Sequence, residues 1–131
     1  MLVARGYGFE SFGIGQKLGI DMPGEKKGIL RTAEYYDKVY GPRRWKFSNL
    51  YSLSIGQGEL GMSPLHMANL ACILANRGFY YTPHFVKKIG EKGRPLPQFT
   101  EKHVCKVDPK HFPAIINGMR WAVQQGTVSG Q

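Results

Sequence analysis

Gly56-Gln57-Gly58-Glu59-Leu60-Gly61 is the segment of this chain with the strongest claim to chemistry. It is a G-x-G-x-x-G between an apolar run and a helical pattern, where glycines let a dinucleotide's phosphates approach a helix N-terminus. Such a site also needs an acidic residue about 20 positions on to hold the ribose. None lies between Glu59 and Glu91, and the helix cap Ser63-Pro64 starts too far beyond Gly61 for the phosphate geometry. Dinucleotide binding is therefore set aside, and no cofactor is expected. His66, His84, His103 and His111 form no i, i+4 pair, and only His103 lies near a cysteine, Cys105. No metal set is expected from that spacing; the histidines read as hydrogen-bonded core residues or surface residues. Cys72 and Cys105 lack any Cys-x-x-Cys arrangement. Cys72 sits in the run Leu70-Ala71-Cys72-Ile73-Leu74 and is expected to be a buried free thiol. A bridge between the two cysteines stays open for an oxidising compartment. Asp21, Glu25 and Glu59 are scattered, and there is no P-loop, nucleophile elbow or His-Glu-x-x-His, so nothing argues for general acid–base work.

The charge is unevenly placed. The 131 residues carry 18 Lys and Arg against 9 Asp and Glu, a formal +9. Lys26, Lys27, Arg31, Lys38, Arg43, Arg44 and Lys46 stand against Glu34 and Asp37 in one segment. Residues 86–111 hold seven basic and three acidic residues, and the rest of the chain is neutral. Two basic segments suit either solvated loops or an anionic partner: nucleic acid, a membrane surface or an acidic polymer. Tyr35-Tyr36 through Arg43-Arg44-Trp45-Lys46-Phe47 has the aromatic and basic mixture of single-strand nucleic-acid grooves. No nucleic-acid-binding fold signature accompanies it, so nucleic acid is not the expected partner.

These residues must be positioned by a limited set of elements. A chain this long is one domain or part of one and buries roughly two-thirds of its unfolded surface if compact. No apolar run reaches the roughly 20 residues of a membrane span, and Met1-Leu2-Val3-Ala4-Arg5-Gly6 has no stretch suited to a signal peptide. Residues 6–30 are turn-rich, with Asp21-Met22-Pro23-Gly24-Glu25 as their strongest turn. Leu50-Tyr51-Ser52-Leu53-Ser54-Ile55 alternates and is expected to be a short strand or an extended buried segment. Ser63 as N-cap and Pro64 in the first turn predict a helix over 63–77, with Gly78 as its stop. Leu65, Ala68, Cys72 and Ala75 share one face, and Met67, Leu70, Ala71 and Leu74 widen it, so burial on most sides is expected. Residues 79–89 read as extended, with Pro83 excluding a central strand, and 103–107 as a short strand. A last helix is expected to run to Gln125, starting regularly near Pro113 after a looser turn at Asp108-Pro109. Its stripe is Phe112, Ile115, Ile116, Met119 and Val123, and its stop Gly126.

Several segments, in order, resemble the transpeptidase domain of class B penicillin-binding proteins, most closely the penicillin-binding protein 2 type of cell elongation. They are Phe12-Gly13-Ile14-Gly15, then Gly19-Ile20-Asp21-Met22-Pro23-Gly24-Glu25 with Gly28, then Ser54-Ile55-Gly56-Gln57-Gly58. Ser63-Pro64-Leu65-His66-Met67-Ala68 follows, then Ala75-Asn76-Arg77-Gly78 with Pro83, and Met119 to Gly126-Thr127. Each is weak alone; their order and spacing over residues 12–127 are specific. The chain departs from the family in having Arg31 where proline is common and His66 where glutamine is usual. Glutamine and histidine both hydrogen-bond from a first helical turn.

The resemblance implies an α+β, serine β-lactamase-like transpeptidase fold, of which this piece supplies mostly helices and an irregular hairpin around 79–107. Enzymes of this family use Ser-x-x-Lys, Ser-x-Asn and Lys-Thr-Gly. No serine here has a lysine three residues on or an asparagine two on, and no lysine precedes Thr-Gly or Ser-Gly. By resemblance, residues 1–131 form an internal fragment between Ser-x-Asn and Lys-Thr-Gly, with no catalytic, cofactor or metal residue of its own. The parent is then expected to be a peptidoglycan D,D-transpeptidase acting through an acyl-serine, and the fragment inert. Its partners would be stem peptides and β-lactams, with membrane proteins of the elongation complex, on the periplasmic face of the bacterial inner membrane. The remaining sheet would be missing, so exposed apolar surface is expected. The rival reading is a small non-catalytic module that uses its basic, aromatic segment for a polyanion: glycan, phospholipid or nucleic acid.

Overall fold

A computed structural model describes residues 8–126 and 129. Among them, the helices are α1 (Ala33–Tyr40), α2 (Phe47–Ser54), α3 (Pro64–Ala75) and α4 (Phe112–Gln124), and the strands are β1 (Phe79–Tyr81) and β2 (Lys102–Val104). Residues 8–30 are irregular, as their glycines and Pro23 require, apart from one 3-10 turn at Phe9–Phe12 and a single antiparallel bridge from Ile29 to Gly61. Met1–Gly6 and Thr127, read above from sequence, lie outside the described residues.

Helix α3 is the central element. Ser63 caps it, its Oγ accepting the His66 N–H at 3.4 Å, and Pro64 occupies the first turn, where no N–H is needed. Its end differs in detail from expectation. Arg77, not Gly78, takes the left-handed position after the Asn76 cap, with φ 58°. The Arg77 N–H reaches the Leu74 carbonyl and the Gly78 N–H the Ile73 carbonyl, the paired bonds of a Schellman stop.

The buried face of α3 is also not the expected one. His66, Asn69 and Ile73 point inward, while Met67, Ala68, Ala71, Cys72 and Ala75 are exposed. A helix apolar on nearly every side carries no direction in its pattern; here two hydrogen-bonding side chains select the inner face. Cys72 is consequently an exposed free thiol, and Cys105 is the buried one.

Residues 50–54 of the segment 50–55 are not extended: they lie within helix α2, which ends at Ser54. Leu50 and Leu53 satisfy helical i, i+3 spacing as well as Leu50-Ser52-Ser54 satisfies alternation, and six residues cannot arbitrate. Strands β1 and β2 pair antiparallel with Phe79 opposite Val104, Tyr80 opposite His103 and Tyr81 opposite Lys102. They form the expected hairpin, though each is three residues long and β2 ends before residue 105. Helix α4 begins after a 3-10 turn at Pro109–His111 capped by Asp108, whose carboxylate accepts the Lys110 N–H at 3.0 Å. Phe112 and Ile116 of its stripe enter the core; Ile115, Met119 and Val123 stay exposed.

The core joins Leu18, Ile73, Tyr80, Cys105 and Phe112, flanked by Phe12, Ile20, Leu65, Leu74, Val107 and Ile116. A separate aromatic cluster surrounds Tyr36, fully buried, with Tyr40 stacked at 6.1 Å and Trp45 tilted at 5.8 Å.

Candidate functional site

Of the segments singled out in the sequence, the glycine-rich turn at 20–26 and the capped start of α3 meet. A shallow cavity of about 240 Å³ opens there, lined by Ile20, Met22, Pro23, Glu25, Ser63 and Leu65 among others. Three polar side chains organise this junction. The Glu25 carboxylate accepts the N–H groups of Leu18 (2.5 Å), Gly19 (3.1 Å) and Ile20 (3.4 Å), closing the turn on itself. Asp21 reaches across the molecule to the N–H groups of Phe85 (2.9 Å) and Val86 (2.8 Å). Those two amides, Phe85 first, hold its carboxyl below the ordinary value.

The third is His66, buried with 1% of its surface exposed. Its Nε2 lies 3.0 Å from the Gln16 carbonyl, which only accepts, so Nε2 carries the proton. In the neutral ring Nδ1 is then an acceptor, and the Ser63 hydroxyl donates to it across 2.7 Å. A serine hydroxyl against an imidazole is the arrangement of an activated nucleophile. Here the same oxygen also accepts the His66 N–H, and the ring is pinned to a main-chain carbonyl inside the core. The pair is a reciprocal helix cap that ties α3 to residue 16, a structural use of those groups. Asn69 adds a second tie, its Nδ2 donating to the Phe12 carbonyl at 3.3 Å.

The other sequence candidates resolve in the same direction. Gly56 and Gly58 follow a helix rather than a strand, both at positive φ, so the segment lacks the strand-to-helix turn of a dinucleotide site. Glu59 is taken by phenols: Tyr36 Oη donates to it at 2.9 Å and Tyr40 Oη at 3.5 Å. Burial, helped by Glu59, pushes the Tyr36 phenol well above its usual range. In the aromatic and basic stretch Tyr36 is buried and packs on Tyr40 and Trp45, Trp45 Nε1 donates to Asp37 at 2.9 Å, and Tyr40 stays 42% exposed. Arg31 lies with its guanidinium 4.3 Å from the Tyr35 ring centroid. His84 stacks on Phe99, and His103 stacks on Tyr80 and bonds Thr82, so each has a packing role. Among the described residues no three His, Cys, Asp or Glu side chains converge as a metal site.

What the junction can do is hold elements in register, and sequence reasoning missed this role for Asp21 and Glu25. Their signal was the turn itself: two carboxylates beside glycines, in a segment with no regular structure to satisfy its amides.

Residues 6–131 match the family model described as the penicillin binding protein transpeptidase domain. The chain belongs to the penicillin-binding protein transpeptidase family. A peptidoglycan D,D-transpeptidase MrdA of Acinetobacter baumannii is 36% identical over 76 residues, 58% of this chain and 11% of that protein. The Escherichia coli K12 protein of the same name is 31% identical over 86 residues, 66% of this chain and 13% of that protein. A crystal structure of Pseudomonas aeruginosa PBP2 in complex with WCK 5153 superposes with a TM-score of 0.75 and 31% identity. That superposition covers 92% of this chain and 26% of the other. The chain thus spans a small part of each relative. Its fold is part of the α+β penicillin-binding transpeptidase domain, of the PBP2 type. The junction built by Glu25, Asp21 and His66 lies within the segments that carry the resemblance.

Proposed function

We propose that the parent protein is a peptidoglycan D,D-transpeptidase that cross-links stem peptides through an acyl-serine. In this reading residues 1–131 are the scaffold between its Ser-x-Asn and Lys-Thr-Gly motifs. The observation that carries it is the likeness to PBP2 over 92% of this chain, joined to a sequence in which none of the three family signatures occurs. Acyl transfer needs a serine, its activating base and oxyanion donors within hydrogen-bond reach. The serine and histidine nearest to such an arrangement, Ser63 and His66, are engaged in a cap. The fragment is therefore inert, and its role is to hold α3, α4 and the hairpin in place for the strand carrying Lys-Thr-Gly. Stem peptides and β-lactams bind the parent, on the periplasmic face of the inner membrane and beside the membrane proteins of the elongation complex.

The rival of a self-sufficient module fits the exposed helical faces less well. Met119, Trp121 and Val123 on α4 and Met67 on α3 are all at least half exposed, as suits faces covered by the remainder of a larger domain. Intact-mass analysis after incubation with a penicillin is the test. The expected result is a covalent adduct on the parent and none on the 131-residue chain. An adduct on the isolated chain would overturn its inertness, and none on the parent would overturn the transpeptidase reading.

A further inference from the structure

The connection between β1 and β2 is built in an unusual way. Its base is fixed three times over. Tyr81 pairs with Lys102 where the strands end, His84 stacks on the buried Phe99 at 4.4 Å, and Asp21 takes the N–H groups of Phe85 and Val86. What this base displays is apolar: Phe85 is 75% exposed and Ile89 67%, with Val86 exposed beside them. Between and after them stand Lys87, Lys88, Lys92 and Arg94, all exposed, against the single acid Glu91.

A loop that merely joins two strands is expected to be polar. This one spends the carboxylate of Asp21 on the main chain of its most exposed aromatic residue. Apolar side chains interleaved with lysines are the composition of segments lying at a bilayer surface. There the rings and aliphatic tips enter the headgroup boundary, and the ammonium groups remain with the phosphates. None of residues 85–94 lines the cavity at the start of α3, the kind of pocket that a sugar would need. A fluid anionic interface asks for no such shape, only for positive charge and apolar tips.

We propose that the 85–94 loop docks on an anionic phospholipid bilayer, with Phe85 and Ile89 entering the interface and Lys87, Lys88, Lys92 and Arg94 contacting the headgroups. This stands whether or not the parent is a transpeptidase. A projection with so few apolar tips binds weakly and reversibly, and its affinity depends on both terms together.

Cosedimentation of the 131-residue chain with large unilamellar vesicles tests it. One set is phosphatidylcholine alone and the other contains phosphatidylglycerol. Binding is expected to the anionic vesicles only, falling by roughly tenfold when salt is raised from low ionic strength to about 0.5 M. The double variant Phe85→Ser, Ile89→Ser should lose most of that binding while its circular dichroism stays that of the parent chain, since both side chains are exposed. A second variant, Ile89→Trp, should show blue-shifted fluorescence on anionic vesicles relative to the unsubstituted chain. No binding to anionic vesicles would overturn the proposal. So would binding that ignores the double substitution, or equal competition by a soluble polyanion such as dextran sulfate, which would make this a charge site without a lipid.

Discussion

Asp21 and Glu25 stand four residues apart in one turn and work over different distances. Glu25 satisfies amides at 18–20, next to it in sequence, whereas Asp21 satisfies amides 64 and 65 positions away. The depressed pKa of Asp21 makes the second contact pH-dependent. A carboxylate held low in the folded state supports that state above its ordinary value of 3.8, and the support is lost as pH falls through the lower, folded value. The amide resonances of Phe85 and Val86 should therefore titrate together with a midpoint below 3.8. Asp21→Asn should abolish that titration; a midpoint at or above the ordinary value would remove the charged contact from the account. At this scale the sequence was legible where one residue acts on its near neighbours. The histidines divide between the two expected kinds, His66 buried and hydrogen-bonded and His111 exposed, and Ser63 as a cap could be read directly. Asp21 could not, because its partners are set by the folded path of the chain and no spacing rule links positions 21 and 85.

At the scale of elements, one tie between the glycine-rich segment and the approach to α3 is made by backbone alone. Ile29 and Gly61 exchange both hydrogen bonds of an antiparallel bridge, at 2.7 and 2.9 Å. Gly28 precedes that bridge at φ 72°, and a Cβ added to it would lie 2.6 Å from the Gly61 carbonyl oxygen. Gly28→Ala combines an unfavourable backbone region with a clash against main chain, and is expected to cost about 2–4 kcal/mol. Gly24, also at positive φ, has open space around its added Cβ. Gly24→Ala should cost only about 1 kcal/mol, so urea unfolding of the two variants separates close approach from conformation. Equal losses would show that the bridge tolerates displacement. Among the elements, α3, α4 and the hairpin were legible, since caps, prolines and a long apolar period each point one way. Helix α2 was not, because a six-residue window fits two periods. The inner face of α3 was not, because hydrogen bonds from His66 and Asn69 decided it against a pattern apolar all round.

The whole molecule carries apolar surface on the outer side of two helices. Met119 and Val123 lie one turn apart on α4, Trp121, 65% exposed, projects from another side of that helix, and Met67 and Cys72 are exposed on α3. Each large apolar side chain covered would contribute about 1.5–3 kcal/mol, so the isolated chain is expected to self-associate at micromolar concentration. Sedimentation velocity should show the double variant Met119→Lys, Trp121→Lys shifted toward monomer with no loss of helical signal. Unchanged association would place the contact elsewhere. The charge, in contrast, was legible by segment, but counting residues 86–111 cannot say that Phe85 beside the lysines is 75% exposed.

The ties of the glycine-rich segment also set an order of events. Residues 11–29 contain little that is stable by itself. They are secured at 61 by the bridge, at 66 and 69 by side chains bonding the Gln16 and Phe12 carbonyls, at 85 and 86 through Asp21, and at 105, where the Cys105 thiol donates to the Ser11 carbonyl. A chain that emerges N-terminus first must hold this segment open until its most distant partner, 94 positions later, has appeared. At common rates of synthesis that is a wait of roughly 5–20 s. Residues 11–29, made before their partners, are thus among the last of this chain to take shape, and during that interval their unpaired amides and apolar side chains are open to any other chain within reach.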